Sequence, residues 1–261
     1  MTNEREKDKE KELAHNETGE TEEAEVQVGE EGVDEKQLED EQPSLPSDAD
    51  PFLLHMLRCE DLLERLGPLL ELDAGSNQRV RDAFTTINEG DYGAALKALD
   101  EARKEEEPNP LIPLLSAIAL LRQGDAWQAA SQCDAALALN ALDLNAWLCK
   151  ATVEAAEHRF VDACERLSKA IELAPNDVGV LVSQGACFIR LGRFDEAIRV
   201  LYRAQKIDHS NIRAWINKGI AYAYTHRLKD ALNCFSEALL LDPDNTDART
   251  AKEEMLRRLT H

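Results

Sequence analysis

Thiols, imidazoles and carboxylates are the side chains of this sequence that could do chemistry, and their spacing decides against most of it. The six cysteines, Cys59, Cys133, Cys149, Cys164, Cys187 and Cys234, stand singly, with none inside four residues of another. No C-x-x-C metal or redox pair can form from them. Each falls among apolar residues on a helical pattern, which reads as a buried, reduced thiol acting as a small hydrophobe. The six histidines (His15, His55, His158, His209, His226 and His261) are as scattered, so zinc is not expected. No phosphate-cradling glycine loop, G-x-S-x-G elbow or H-E-x-x-H pair occurs. The carboxylates are spread along helix faces and are not paired near a His or Ser. These residues predict no enzyme, no cofactor, no metal and no small-molecule substrate.

Charge narrows the partner. The 261 residues carry 51 Asp/Glu against 30 Lys/Arg, a net charge of −21. Residues 1–50 hold 19 of the acids and 5 of the bases, so the excess is concentrated at one end. Nucleic acid and anionic membrane both need clustered Lys and Arg, and neither is expected as a partner. No apolar run approaches the roughly 18–20 residues of a membrane span. A charged stretch from Glu4 to Glu12 stands where a signal core would be, so the expected location is the cytoplasm, with the nucleus also compatible. Segment 1–50 has no aromatic residue and cannot offset its backbone entropy by apolar burial. It reads as a disordered acidic tail, either solubilising or an electrostatic lure for basic partners.

The elements that follow are helical. Asp50-Pro51 is a helix start, and Phe52, Met56, Cys59, Leu63 and Leu66 recur at steps of four and three. Residues 51–72 form an amphipathic N-terminal element, its helix running 51–66 and stopping at Gly67-Pro68. Beyond it the chain aligns with itself every 34 residues without insertion, in blocks 76–109, 110–143, 144–177, 178–211 and 212–245. The twentieth position is Ala95, Ala129, Ala163, Ala197 and Ala231; the twenty-seventh is Ala102, Ala136, Ala170, Ala204 and Ala238. The eighth is small throughout: Ala83, Ala117, Ala151, Gly185 and Gly219. Small residues there let helix backbones approach closely. The fifteenth position, Gly90, Gly124, His158, Gly192 and His226, calls for a left-handed turn. The thirty-fourth, Asn109, Asp143, Asp177, Asn211 and Asn245, supplies the N-cap of the next helix. His158-Arg159 and His226-Arg227 recur at one turn, as turn residues or as a paired basic contact. Residues 246–260 carry Ala248, Ala251, Met255 and Leu259 on one face and read as a C-terminal capping helix.

These columns resemble the tetratricopeptide repeat family, a helix–turn–helix unit of this length. Trp215, Gly219, Tyr222, Ala231, Phe235, Ala238 and Pro243 carry the resemblance best, followed by Trp147, Ala151, Ala163, Ala170 and Pro175. Arg79 and Pro113 depart from it at the fourth position, and Glu107 and Ala141 at the terminal proline. The resemblance implies an all-α fold: an α-solenoid, coiled as a right-handed superhelix, of five repeats with flanking helices. It also implies a concave groove built from the first helix of each repeat.

On that implication the groove has an apolar floor of Val80, Leu114, Leu148, Val182 and Ile216, with Leu111, Phe84, Ile118, Thr152 and Ile220 beside it. Arg122, Asn145, Arg190, Arg213 and Tyr224 edge it. The expected partner is a protein or peptide, held as an apolar or amphipathic segment. The chain then acts as an interaction scaffold, with an assembly chaperone or co-chaperone as the alternative. Family members that clamp chaperone C-termini use Lys at position five and Asn at nine; this chain has aliphatic residues at position five throughout, and Arg213 and Asn217 only echo that clamp. Helix 51–66 has three possible places: packed on the first repeat as a cap, the preferred reading; along the groove as a self-inhibitory plug; or free for a partner or dimer contact.

Overall fold

The computed structural model describes residues 58–72, 78–105 and 108–260, all within one compact unit, Gln42–His261. The acidic segment 1–50 and the start of the N-terminal element, 51–57, lie outside the described residues. Helix α1 (Cys59–Leu72) precedes five helix pairs: α2 (Gln78–Glu89) with α3 (Tyr92–Glu105), α4 (Leu111–Arg122) with α5 (Ala126–Leu139), α6 (Leu144–Ala156) with α7 (Phe160–Leu173), α8 (Val178–Arg190) with α9 (Phe194–Ile207), and α10 (Ile212–Tyr224) with α11 (Leu228–Leu241). Helix α12 (Thr246–Thr260) follows and packs on α10 and α11. No strand occurs among the described residues. The helices of each pair pack on one another, and each pair leans on the next.

The boundaries follow from local chemistry. Each first helix after α2, and α12, starts on a side-chain acceptor from the thirty-fourth position. Asn109 accepts from the Leu111 N–H at 2.9 Å, Asp143 from Asn145 at 2.8 Å, Asp177 from Val180 at 3.1 Å, Asn211 from Ala214 at 3.0 Å and Asn245 from Ala248 at 3.0 Å. Such caps satisfy N–H groups that have no intrahelical partner. The turn inside every pair passes through a left-handed residue: φ is 89° at Gly90, 85° at Gly124, 61° at His158, 74° at Gly192 and 57° at His226. Gly192 has open space where a Cβ would go, so Gly192→Ala strains only the backbone. It should cost about 1 kcal/mol, read as a lower denaturation midpoint at unchanged slope.

Every alanine of the twentieth and twenty-seventh positions is fully buried. The eighth position leaves no room for a side chain at its two glycines: a Cβ on Gly185 would stand 2.6 Å from Leu201 Cγ, and one on Gly219 2.6 Å from Phe235 Cε1. Pro113 departs from the family pattern without disturbing it. It occupies the third position of α4, where its missing N–H would have had no intrahelical partner. All six cysteines are buried, free thiols.

One expectation is corrected. Helix α1 does not stop at Gly67-Pro68 but runs on to Leu72, with Pro68 inside it. Pro68 removes one backbone bond, yet Leu70 beyond it is buried to 3% exposure, and that tertiary anchor carries the helix past the break. At the other end Leu259 is 42% exposed, while Ala248, Ala251 and Met255 are buried; α12 turns only part of its apolar face inward.

Candidate partner-binding groove

Helix α1 decides the state of the groove. Its apolar side, Cys59, Leu62, Leu63, Leu66 and Leu70, is buried, and its packing partners are the first helices α2, α4 and α6. It therefore lies across the first helices of three successive pairs. The cap on the first repeat, the arrangement the sequence favoured, is not what the fold adopts. Val80, Leu111, Leu114, Ile118, Leu148, Val182, Ile216 and Ile220 are all buried, as is Asn217. Phe84 is half-buried, against Gly67 of α1.

Charge pairs fix α1 in register. Asp61 takes both guanidinium nitrogens of Arg213, at 2.9 and 2.5 Å, across 152 residues of chain. Arg65 donates to Asp177 at 2.5 and 3.3 Å and to Asn145 at 3.3 Å. Arg122 donates to Glu60 at 2.5 Å. Three of the rim residues read from sequence, Arg122, Asn145 and Arg213, are thus engaged by this one helix. Arg190 and Tyr224, also read as rim residues, and Thr152 make other contacts. Arg190 lies 4.6 Å over the Phe160 ring, Tyr224 stacks on Phe194 at 5.1 Å, and the Thr152 hydroxyl donates to its own helix at Leu148.

Asp61 and Asp177 each serve two elements. Asp61 also accepts the Arg58 backbone N–H at 2.7 Å, and Asp177 caps α8 while it holds Arg65. Burial alone would raise the Asp61 carboxyl, but the Arg213 hydrogen bonds and the Arg58 N–H outweigh it and hold its pKa below the usual carboxylate value. Asp177 is lowered in the same way, burial being overcome by Arg65 and the Val180 N–H. A depressed native pKa gives stability that is complete above the unfolded carboxylate pKa and is lost as pH falls through the native one. Docking of α1 should accordingly be flat between pH 5 and 8 and weaken only below about pH 4. The methyl resonances of Leu62 and Leu66 would follow it.

Sequence reasoning missed Glu60, Asp61, Arg65 and, as a rim residue, Asp177. The available signal was the acidic pair opening α1, with an arginine four residues after Asp61. Cavities flank the seated helix: one of about 350 Å³ lined by Glu64, Val182, Asn211 and Arg213 among others, the second of about 410 Å³ by Leu63, Phe84, Asn88 and Arg122 among others. Among the described residues no helix is long and apolar enough to cross a membrane.

Tetratricopeptide-repeat family models match residues 150–212 and 212–245, the stretch from α6 to α11. This stretch is built of tetratricopeptide repeats. Proteins of the family mediate protein–protein interaction. Hsp70-Hsp90 organizing protein 3 of Arabidopsis thaliana is 26% identical over 91 residues, 35% of this chain and 16% of that protein. The chloroplastic tetratricopeptide repeat domain-containing protein PYG7 of the same plant is 35% identical over 71 residues, 27% of this chain and 24% of that one. The chain thus spans at most a quarter of the length of these relatives. Among solved structures YrrB, described as a TPR protein with an unusual peptide-binding site, superposes with a TM-score of 0.57. It is 20% identical, over 75% of this chain and 99% of that one, a likeness that shows the fold. The helix pairs α2–α3 and α4–α5 precede the matched residues.

Proposed function

We propose that this protein is a non-catalytic interaction adaptor whose concave face, formed by the first helices of five repeats, takes an amphipathic segment of a partner protein. The first two pairs count as repeats because they keep the 34-residue register, the buried alanines and the left-handed turn. One observation carries the functional reading: the apolar floor and charged rim on these helices already hold a helix, α1. A surface that accepts one amphipathic helix by apolar burial and three charged contacts offers the same chemistry to another. Affinity then comes from the apolar row, and orientation from Arg122, Arg213 and Asp177.

The name of one relative raises the co-chaperone alternative. Against it stand the aliphatic residues at position five, Val80, Leu114, Leu148, Val182 and Ile216, where a chaperone-tail clamp needs lysine. Photo-crosslinking in cells tests the adaptor reading, with benzoylphenylalanine at Phe84 on the groove and at Trp127, which is 79% exposed on the second helix α5. Partner segments of amphipathic helical pattern should cross-link through position 84 and not through 127. Cross-links confined to 127, or an acidic chaperone C-terminus captured at 84, would overturn it.

A further inference from the structure

We infer that α1 is a resident but displaceable occupant of the groove, and that the partner it yields to is an amphipathic helix with the same charge register. That register is two acidic residues in the first turn, leucines along one face and an arginine four residues after the second acid. The inference rests on the adaptor reading above and adds to it the partner's chemistry and its regulation.

The seat itself dictates the register. Arg122 and Arg213 are cations contributed by the repeats, and they meet Glu60 and Asp61 at the start of α1. One turn on, Asp177 and Asn145 offer acceptors, and they meet Arg65. A helix laid in the opposite direction would bring its arginine to Arg122 and Arg213, and its acids to Asp177. Like charges so placed cost affinity, so the groove reads polarity as well as apolar pattern.

The seated helix is also suited to release. It lies outside the 34-residue register, so no neighbouring repeat needs it to complete its hairpin. Gly67 and Pro68 sit inside it, and both weaken a helix that is not held from outside. Its polar ties are charge pairs with partly exposed members: the side-chain exposures are 15% and 38% for Asp61 and Arg213, and 48% and 36% for Glu60 and Arg122. Clefts of about 350 and 410 Å³, open to solvent, run along both flanks of α1. A competing helix with larger side chains gains contacts there that α1 lacks.

Tethering sets the threshold. A segment joined by a short link acts at an effective concentration on the order of millimolar, so a free helix of equal intrinsic affinity competes poorly until the tethered one is weakened. The experiment uses the full chain and a labelled peptide with the sequence of residues 58–72. Binding is measured to the wild type and to the double variant Glu60→Arg, Asp61→Arg, which sets like charges against Arg122 and Arg213 but leaves the groove unaltered. The variant should bind the peptide at least tenfold more tightly. Alkylation of Cys59 reports where α1 is: the thiol is buried, with its pKa pushed up to about 11, and it should react only when α1 leaves its seat. Saturating peptide should therefore expose Cys59 in the wild type.

Equal peptide affinity for both chains, or bound peptide with Cys59 still protected, would overturn displacement and leave the adaptor reading standing. An exposed Cys59 in the variant with no peptide bound to either chain would instead count against the groove as a helix-binding site. A variant that aggregates or loses helix content throughout would make α1 an integral part of the core, and the inference fails.

Discussion

Gly219→Val should cost the fold about 3 kcal/mol, one of the larger losses available from a single small substitution in this chain. A Cβ at that position would already stand 2.6 Å from Phe235 Cε1 and 2.9 Å from Cζ, and a ring cannot swing aside as a flexible chain end does. Overpacking of this kind typically costs 1–3 kcal/mol, more when the intruding group is branched. Gly219→Ala should cost about 1 kcal/mol, because the better helix propensity of alanine offsets part of the clash. Other pairs of the array hold the remedy: the same two columns carry Ala83 with Leu99 and Ala151 with Leu167, all of them buried. Combining Gly219→Ala with Phe235→Leu should recover most of the loss, a coupling of about 1–2 kcal/mol in a double-mutant cycle. Strict additivity in chemical denaturation would mean that the close approach at this crossing does not constrain residue size.

Leu66→Ala should loosen α1 without loosening the repeats. Leu66 is 1% exposed, and truncation of a buried leucine costs about 2–5 kcal/mol. Here the loss falls on a helix that can open by itself, so it appears as local opening. At roughly 1.4 kcal/mol per decade, amides of α1 should exchange about 100-fold faster, and alkylation of Cys59 should rise in parallel. The amides of α8 to α11 should keep their protection. Equal acceleration in every helix would show that α1 and the repeats unfold as one unit.

Much of this fold was legible because its rules are local. The left-handed turn at Gly192 concerns a single φ, and His158 and His226 adopt it at the same place because the hairpin demands it whatever the side chain. The caps at Asp143, Asp177 and Asn211 act within three residues. The buried alanines recur because each pair meets its neighbour in the same way, so one geometric demand is written repeatedly and can be read by alignment of the chain with itself. The groove was less legible. Arg122, Asn145 and Arg213 were expected on its rim, and nothing in their columns indicates that a segment of the same chain holds them. Gly67-Pro68 misled for a related reason. As local signals they end a helix, and only the burial of Leu70 outweighs them.

By itself, then, the sequence determined the all-helical class, the 34-residue period, the caps and turns of the hairpins and the small-residue columns where they cross. Tertiary structure alone decided where α1 lies. Asp61 and Arg65 find their partners 152 and 112 residues away, and a period repeated within the array carries no information about a segment outside it. Docking depends on summing apolar burial and charge matching over several helices at once. That sum exists only when the first helices stand side by side.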